Sequence, residues 1–338
     1  MTYSRILTPR FYIDTPNWLM SRGVAADQFA VKTGSDLIDH DSDFVDAELF
    51  DMKPANQVVF STKDSSATRA DHVLIVIDKQ ATSLPTDFVA ILNHNCNSAD
   101  AKFRIAGSGS DITAIDPTAV ACSELFNADD SSDIFTPDND GDSIVTFGSA
   151  SNARYIAIQF EGSDSGSFDS TNDLKIGCLV FGEFYTMNNS PDLSVKRSIS
   201  FDGVDVVEST GGKRFSNASW LEGNQTATTQ SGQPFRHEGT SYVGRQGGRM
   251  SYDMNFSYMA DTNLLPESMT TSSWTGESVF GDVWNRTGGR LTPFIFTPDS
   301  TSTTAGDYMF GRFSHDSLNL SQVAHNTWNV SVSIDEEF

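Results

Sequence analysis

Lysine and arginine are scarce in this 338-residue chain: 22 of them stand against 45 Asp and Glu, a formal net charge of −23. Nucleic-acid binding draws on clustered cations that neutralise phosphates, and no basic run occurs, so no direct nucleic-acid binding is expected. Cysteine is rarer still. Cys96, Cys122 and Cys178 lie far apart without a CxxC pair, which argues against a disulfide framework or a zinc signature and leaves buried reduced thiols as the expectation. No apolar run approaches the roughly 18 residues that cross a bilayer, so no membrane insertion is expected. The start, Met1 to Arg5, lacks the charged-then-apolar layout of a signal peptide, and synthesis in a cytoplasm is the expectation. The histidines, His40, His72, His94, His237, His315 and His325, form no HExxH or other ligand pair.

What is present is a β pattern. Hydrophobic residues make up only 38% of the chain and come in short runs between turns rich in Ser, Thr, Asn, Asp and Gly, which predicts a mainly β fold. The length suggests two domains. Residues 1–55 carry Pro9, Pro16 and an acidic stretch from Asp36 to Asp51, and read as an N-terminal arm or first strands. Residues 56–187 hold Val58 to Phe60, Val73 to Ile77, Phe88 to Leu92, Phe103 to Ile105, Ile144 to Phe147, Ile156 to Phe160 and Ile176 to Phe184. Continuous apolar runs of this kind fit strands buried on both faces of an antiparallel sandwich.

Past Pro191, residues 188–338 change to longer amphipathic strands. Met250, Tyr252, Met254, Phe256 and Tyr258 are expected on one face, and Trp328, Val330, Val332 and Ile334 repeat the alternation. Val279, Phe280, Val283 and Trp284 fall at helical spacing, so a short helix is predicted over Glu277 to Thr287. The expected class is therefore two antiparallel β-sandwich or jelly-roll domains with one or two short helices.

Two resemblances sharpen this. The strand at His72 to Asp78, the Asn-rich turn at Asn93 to Asn97, the strand Arg154 to Ile158 and the strand Leu174 to Gly177 resemble a discoidin or galactose-binding-like jelly roll. That resemblance implies a binding or docking module. The layout of Arg290 to Asp299, Tyr308 to Phe313 and Trp328 to Glu337 resembles tail-associated virion structural proteins of bacteriophages, similar to tail-tube and distal-tail subunits whose sandwich domains join into rings. It implies a homo-oligomer located in the virion, with other tail or baseplate proteins as partners.

Motifs for chemistry are thin. Asp138, Asn139, Asp140, Gly141 and Asp142 place alternate carboxylates as a calcium loop would, but glycine stands fourth where the EF-hand needs it sixth, and Ser149 takes the place of the bidentate Glu. A solvated turn of ordinary turn residues accounts for the same letters, so no metal ligand is assigned. Gly162 to Gly166 has Asp164 where a nucleophile elbow needs Ser, and Gly244 to Arg249 lacks the Lys-Ser/Thr of a phosphate loop. Trp18, Trp220 and Trp274 suit sugar stacking, core packing or a subunit interface. No catalytic residue and no cofactor is expected.

The acidic excess, 34 Asp against 11 Glu, has two explanations: a solubilising surface, or a wall along which DNA slides without sticking. The expected function is a structural virion subunit of a tail, baseplate or neck. Glycan or receptor binding at a tail tip is the alternative, with polysaccharide degradation by paired carboxylates behind it.

Overall fold

The computed structural model describes residues 8–23, 29–32, 46–62, 72–80, 84–113, 119–130, 134–162, 168–200, 206–216, 249–264 and 283–337. In chain order the first elements are β1 (Arg10–Asp14), α1 (Thr15–Ser21), β2 (Phe29–Lys32), β3 (Val58–Phe60), β4 (His72–Asp78), β5 (Thr86–His94), β6 (Ala101–Ser108), β7 (Cys122–Phe126), β8 (Asp129–Asp130), β9 (Phe135–Thr136), β10 (Gly141–Ser151), β11 (Tyr155–Gly162), β12 (Leu174–Ile176) and β13 (Cys178–Thr186). Then follow β14 (Lys196–Ser200), β15 (Val206–Glu208), β16 (Arg214–Ser216), β17 (Arg249–Ala260), α2 (Asp261–Leu264), β18 (Phe294–Thr297), β19 (Met309–Phe313), β20 (Leu320–Ala324) and β21 (Thr327–Glu336). The chain is mainly β, in large antiparallel sheets, as its composition predicts.

Eleven strands make one sheet in the order β14, β17, β21, β19, β18, β1, β13, β5, β10, β7, with β20 also on β21. A six-stranded sheet runs β2, β4, β11, β6, β9, β8. The continuous apolar runs do lie buried on both faces: every residue of β4 is buried, and β5 is buried at all but one position. One face of β5, Val89 and Ile91, packs with Ile75, Ile77, Ile105, Ile158 and Phe160 into the core between the two sheets. Its other face, Phe88, Ala90 and Leu92, packs with Tyr12, Val180 and Ile295.

The N-terminal segment supplies the strand that joins the two ends of the chain. Arg10, Phe11 and Tyr12 pair with Thr297, Phe296 and Ile295 on one side, and with Thr186, Tyr185 and Phe184 on the other. Gly182 permits this close approach, since a Cβ there would collide with the carbonyl oxygen of Ile13. Asp14 then caps α1, its Oδ2 accepting from the Asn17 backbone N–H at 2.7 Å and from Asn17 Nδ2 at 2.8 Å.

In the C-terminal part the sheet rolls up. Tyr252 on β17 and Phe296 on β18 are separated by β21 and β19, about 14 Å in a flat sheet. Their ring centroids are only 5.4 Å apart. The sheet therefore curls around an aromatic core of Phe11, Tyr252, Phe294, Phe296 and Phe313, joined by Met254, Val330, Val332 and Ile334.

The alternation expected along β17 holds from Met250 to Phe256 and then breaks. A register shift lies between Phe256 and Met259, where Tyr258 takes a φ of 60°. This β-bulge turns Met259 inward and leaves Tyr258 77% exposed. Of the helix predicted over Glu277 to Thr287, residues 277–282 lie outside the described residues. The remainder is one wide helical turn, π-type at Val283 and Trp284, closed by Thr287 N–H on Val283 O at 3.1 Å and Gly289 N–H on Trp284 O at 2.8 Å.

Candidate functional site

The acidic loop is bound into the fold by its own side chains. Asp140 Oδ1 accepts from Ser98 N–H at 2.9 Å, and its Oδ2 accepts from the Ser98 hydroxyl. Asp142 Oδ1 accepts from Asn93 N–H at 2.8 Å. Asn127 bridges the loop, its Nδ2 donating to Asn139 O and Asp142 O, each at 3.0 Å. Asp138 is exposed. The two inner carboxylates thus address separate backbone groups, and among the described residues no three His, Cys, Asp or Glu side chains gather as metal ligands.

Beside this loop lies a buried serine and histidine. His94 Nε2 is 2.7 Å from Ser143 Oγ, while His94 Nδ1 accepts from Cys96 N–H at 3.2 Å. The accepting Nδ1 places the proton on Nε2, so the ring donates to Ser143, whose hydroxyl donates to Asn127 O at 2.5 Å. That is the reverse of the proton flow by which a histidine activates a nucleophile. Burial drives the His94 pKa down to about 3 and pushes the Cys96 thiol up, so the neutral pair holds β5 to β10.

Two charged clusters lie elsewhere. Glu161 on β11 receives His72 at 3.3 Å, Arg104 at 3.2 Å and Lys102 at 3.5 Å, and the His72 hydrogen bond leads in holding its pKa down at about 2. The other cluster lies at the seam of the two cores: Glu183, between Phe181 and Tyr185, pairs with Arg286. Nearby, the fully buried Lys79 donates to Leu84 O at 2.5 Å, Thr86 Oγ1 at 3.0 Å and Ser151 O at 3.2 Å, and burial lowers its pKa to about 8. Each ion has partners supplied by its own chain, as buried charges require.

The unusual chemistry of this molecule is on its surface. The exposed large apolar side chains among the described residues are Leu193, Ile199, Val207, Tyr258, Leu291 and Val323, all in the C-terminal part. β14 is exposed at four of its five positions, and β20 likewise. In the β15–β16 hairpin, the stretch 207–214 is exposed throughout. A lone two-stranded hairpin is marginal in water, and edge strands invite pairing. The jelly-roll resemblance implies docking through residues 56–187, and these features lie in residues 188–338. The local signal was the pair Lys196 and Arg197, cations beside apolar Leu193, Val195 and Ile199 in an otherwise acidic chain.

Of the tryptophans named as sugar platforms, Trp18 is half-buried against the first core, with the Arg22 guanidinium 4.8 Å from its ring, while Trp220 and Trp274 lie outside the described residues. So do Ser163 to Gly166 and Gly244 to Gly248. No protein-family model, no curated protein and no solved structure matches the chain.

Proposed function

We propose that this protein is a non-enzymatic structural subunit of a bacteriophage virion, in a tail, baseplate or neck, working as a symmetric multimer. The observation that carries the reading is the segregation of the exposed large apolar side chains among the described residues to the C-terminal part, together with the largely exposed strands β14 and β20 there. A rigid, doubly buried core in the first part gives the subunit a fixed shape, and edges that expose backbone groups give it a means of joining neighbours. The acidic excess suits a particle component that must not adhere to nucleic acid. Size-exclusion chromatography with light scattering and electron micrographs of the purified protein test this. Rings or stacked rings are expected; a monomer at high concentration, unable to join virion proteins, would defeat it.

A second reading, recognition of a glycan or receptor at a tail tip, is favoured by one feature. Tyr258 stands out from the sheet at the bulge, 77% exposed, with its backbone N–H donating to Asn329 Oδ1 at 3.2 Å. An exposed ring with an apolar face and a polar tip is a surface on which sugars stack. Loss of glycan-array binding on Tyr258→Ala would support that reading over assembly.

A further inference from the structure

The main path of the eleven-stranded sheet ends at β14 and β7, and β20, which carries no charged residue, is a further edge on β21. β14 and β7 are each five residues long, and each pairs with one strand among the described residues: β14 with β17, β7 with β10. Their charges are opposite. β7 lies in a stretch, residues 105–153, with nine Asp and Glu and no Lys or Arg. β14 opens a stretch, residues 194–249, with seven Lys and Arg against five Asp and Glu, in a chain whose total is −23. Lys196 has a side chain 72% exposed, with Asp253 at 3.9 Å as its ion-pair partner, and Ile199, three positions further along the strand, is 58% exposed.

We propose that β14 of one copy adds to β7 of the next, extending the large sheet from subunit to subunit. This rests on the assembly reading above and names its interface. Pairing β14 with β14 would gather two copies of Lys196 and Arg197 at one joint, and pairing β7 with β7 would gather two copies of Glu124 and its acidic flanks. Only the unlike pairing brings opposite charge together. Because it uses two different surfaces, the contact is head-to-tail, and such contacts close into rings or continue as filaments. Followed from strand to strand across the sheet, Ser198 and Ser123 are on the same face, and in the antiparallel register that sets Arg197 opposite Glu124 they would lie side by side across the joint.

The test is sedimentation velocity on the full chain. Lys196→Glu with Arg197→Glu, and separately Glu124→Lys, each weaken self-association at least tenfold, while circular dichroism and the melting temperature confirm the fold. Mixing the two variants restores it, because each then meets an edge of opposite charge. Ser123→Cys with Ser198→Cys in one chain gives, on oxidation, covalent multimers that reducing agent dissolves. Multimers indifferent to both charge variants, or folded variants that stay apart when mixed, overturn this interface and leave the assembly reading standing. A protein monomeric under all conditions and inert to virion partners overturns both.

Discussion

Arg286 Nη1 donates to Glu183 Oε2 across 103 residues of sequence, tying the turn after residue 282 to the middle of the large sheet. Arg286 is 8% exposed, so its charge is compensated inside the protein. Removing one partner of such a pair strands the other, and Arg286→Met should cost about 3 kcal/mol in urea unfolding. The double replacement with Glu183→Leu should recover part of that loss, since no lone charge then remains. A single variant as stable as the parent would show that the seam does not depend on this pair.

Stability should be nearly flat between pH 6.5 and about 4 and then fall steeply. His94, held near pKa 3 against an ordinary 6.5, contributes stability above pH 6.5 that is lost as the pH falls toward 3. Asp14 works in the opposite sense. Burial raises its pKa to about 7 from 3.8, so its contribution is full below pH 3.8 and lost as the pH rises to 7. Each changes stability by at most about 1.4 kcal/mol per pH unit, and across the shared window they oppose each other. Glu161, lowered to about 2 from 4.5, adds its loss on the acid side. Unfolding free energies measured from pH 7.5 to 3 check this: His94→Gln should make the protein more stable as pH falls to 4, and Asp14→Asn less stable.

The bulge at Tyr258 gives a test with an unusual sign. Glycine inside a regular strand costs stability, but at a φ of 60° it relieves the strain of an L side chain. Tyr258→Gly should therefore raise stability by about 0.5–1 kcal/mol. Trp328→Ala, by contrast, should cost about 3 kcal/mol, because that ring packs on the C-terminal core and donates to Asp261 Oδ1 at 2.8 Å. A rise in melting temperature for the first variant and a fall for the second is the expected result.

The strands were legible where burial alone sets the pattern. Val73 to Ile77 and Phe88 to Leu92 are apolar at every step because both faces are covered, and Val330, Val332 and Ile334 alternate because one face is. The alternation failed at Tyr258, where one inserted residue reverses the faces without any change in composition. The place of β1 was hidden for another reason. Phe11 pairs with Tyr185 and Phe296, and neither partner leaves a mark near residue 11. His94 and Ser143 lie 49 residues apart, and their contact likewise exists only after folding.

The acidic loop from Asp138 to Asp142 is held by protein partners. Asp140 and Asp142 bind the backbone at Ser98 and Asn93, acting as caps for the turn that follows β5. A cap of this kind contributes about 1 kcal/mol, and Asp140→Ala should lower stability by about that amount. Calcium at micromolar levels should then shift the melting temperature little, and equally little in the variant. The reason is geometric: a ligand set must turn several oxygens toward one point, whereas one of these carboxylates is directed at Asn93 in β5 and the other at Ser98 in the turn beyond it. Calorimetry showing micromolar calcium binding that Asp140→Asn abolishes would mean that the loop exchanges its backbone partners for the ion.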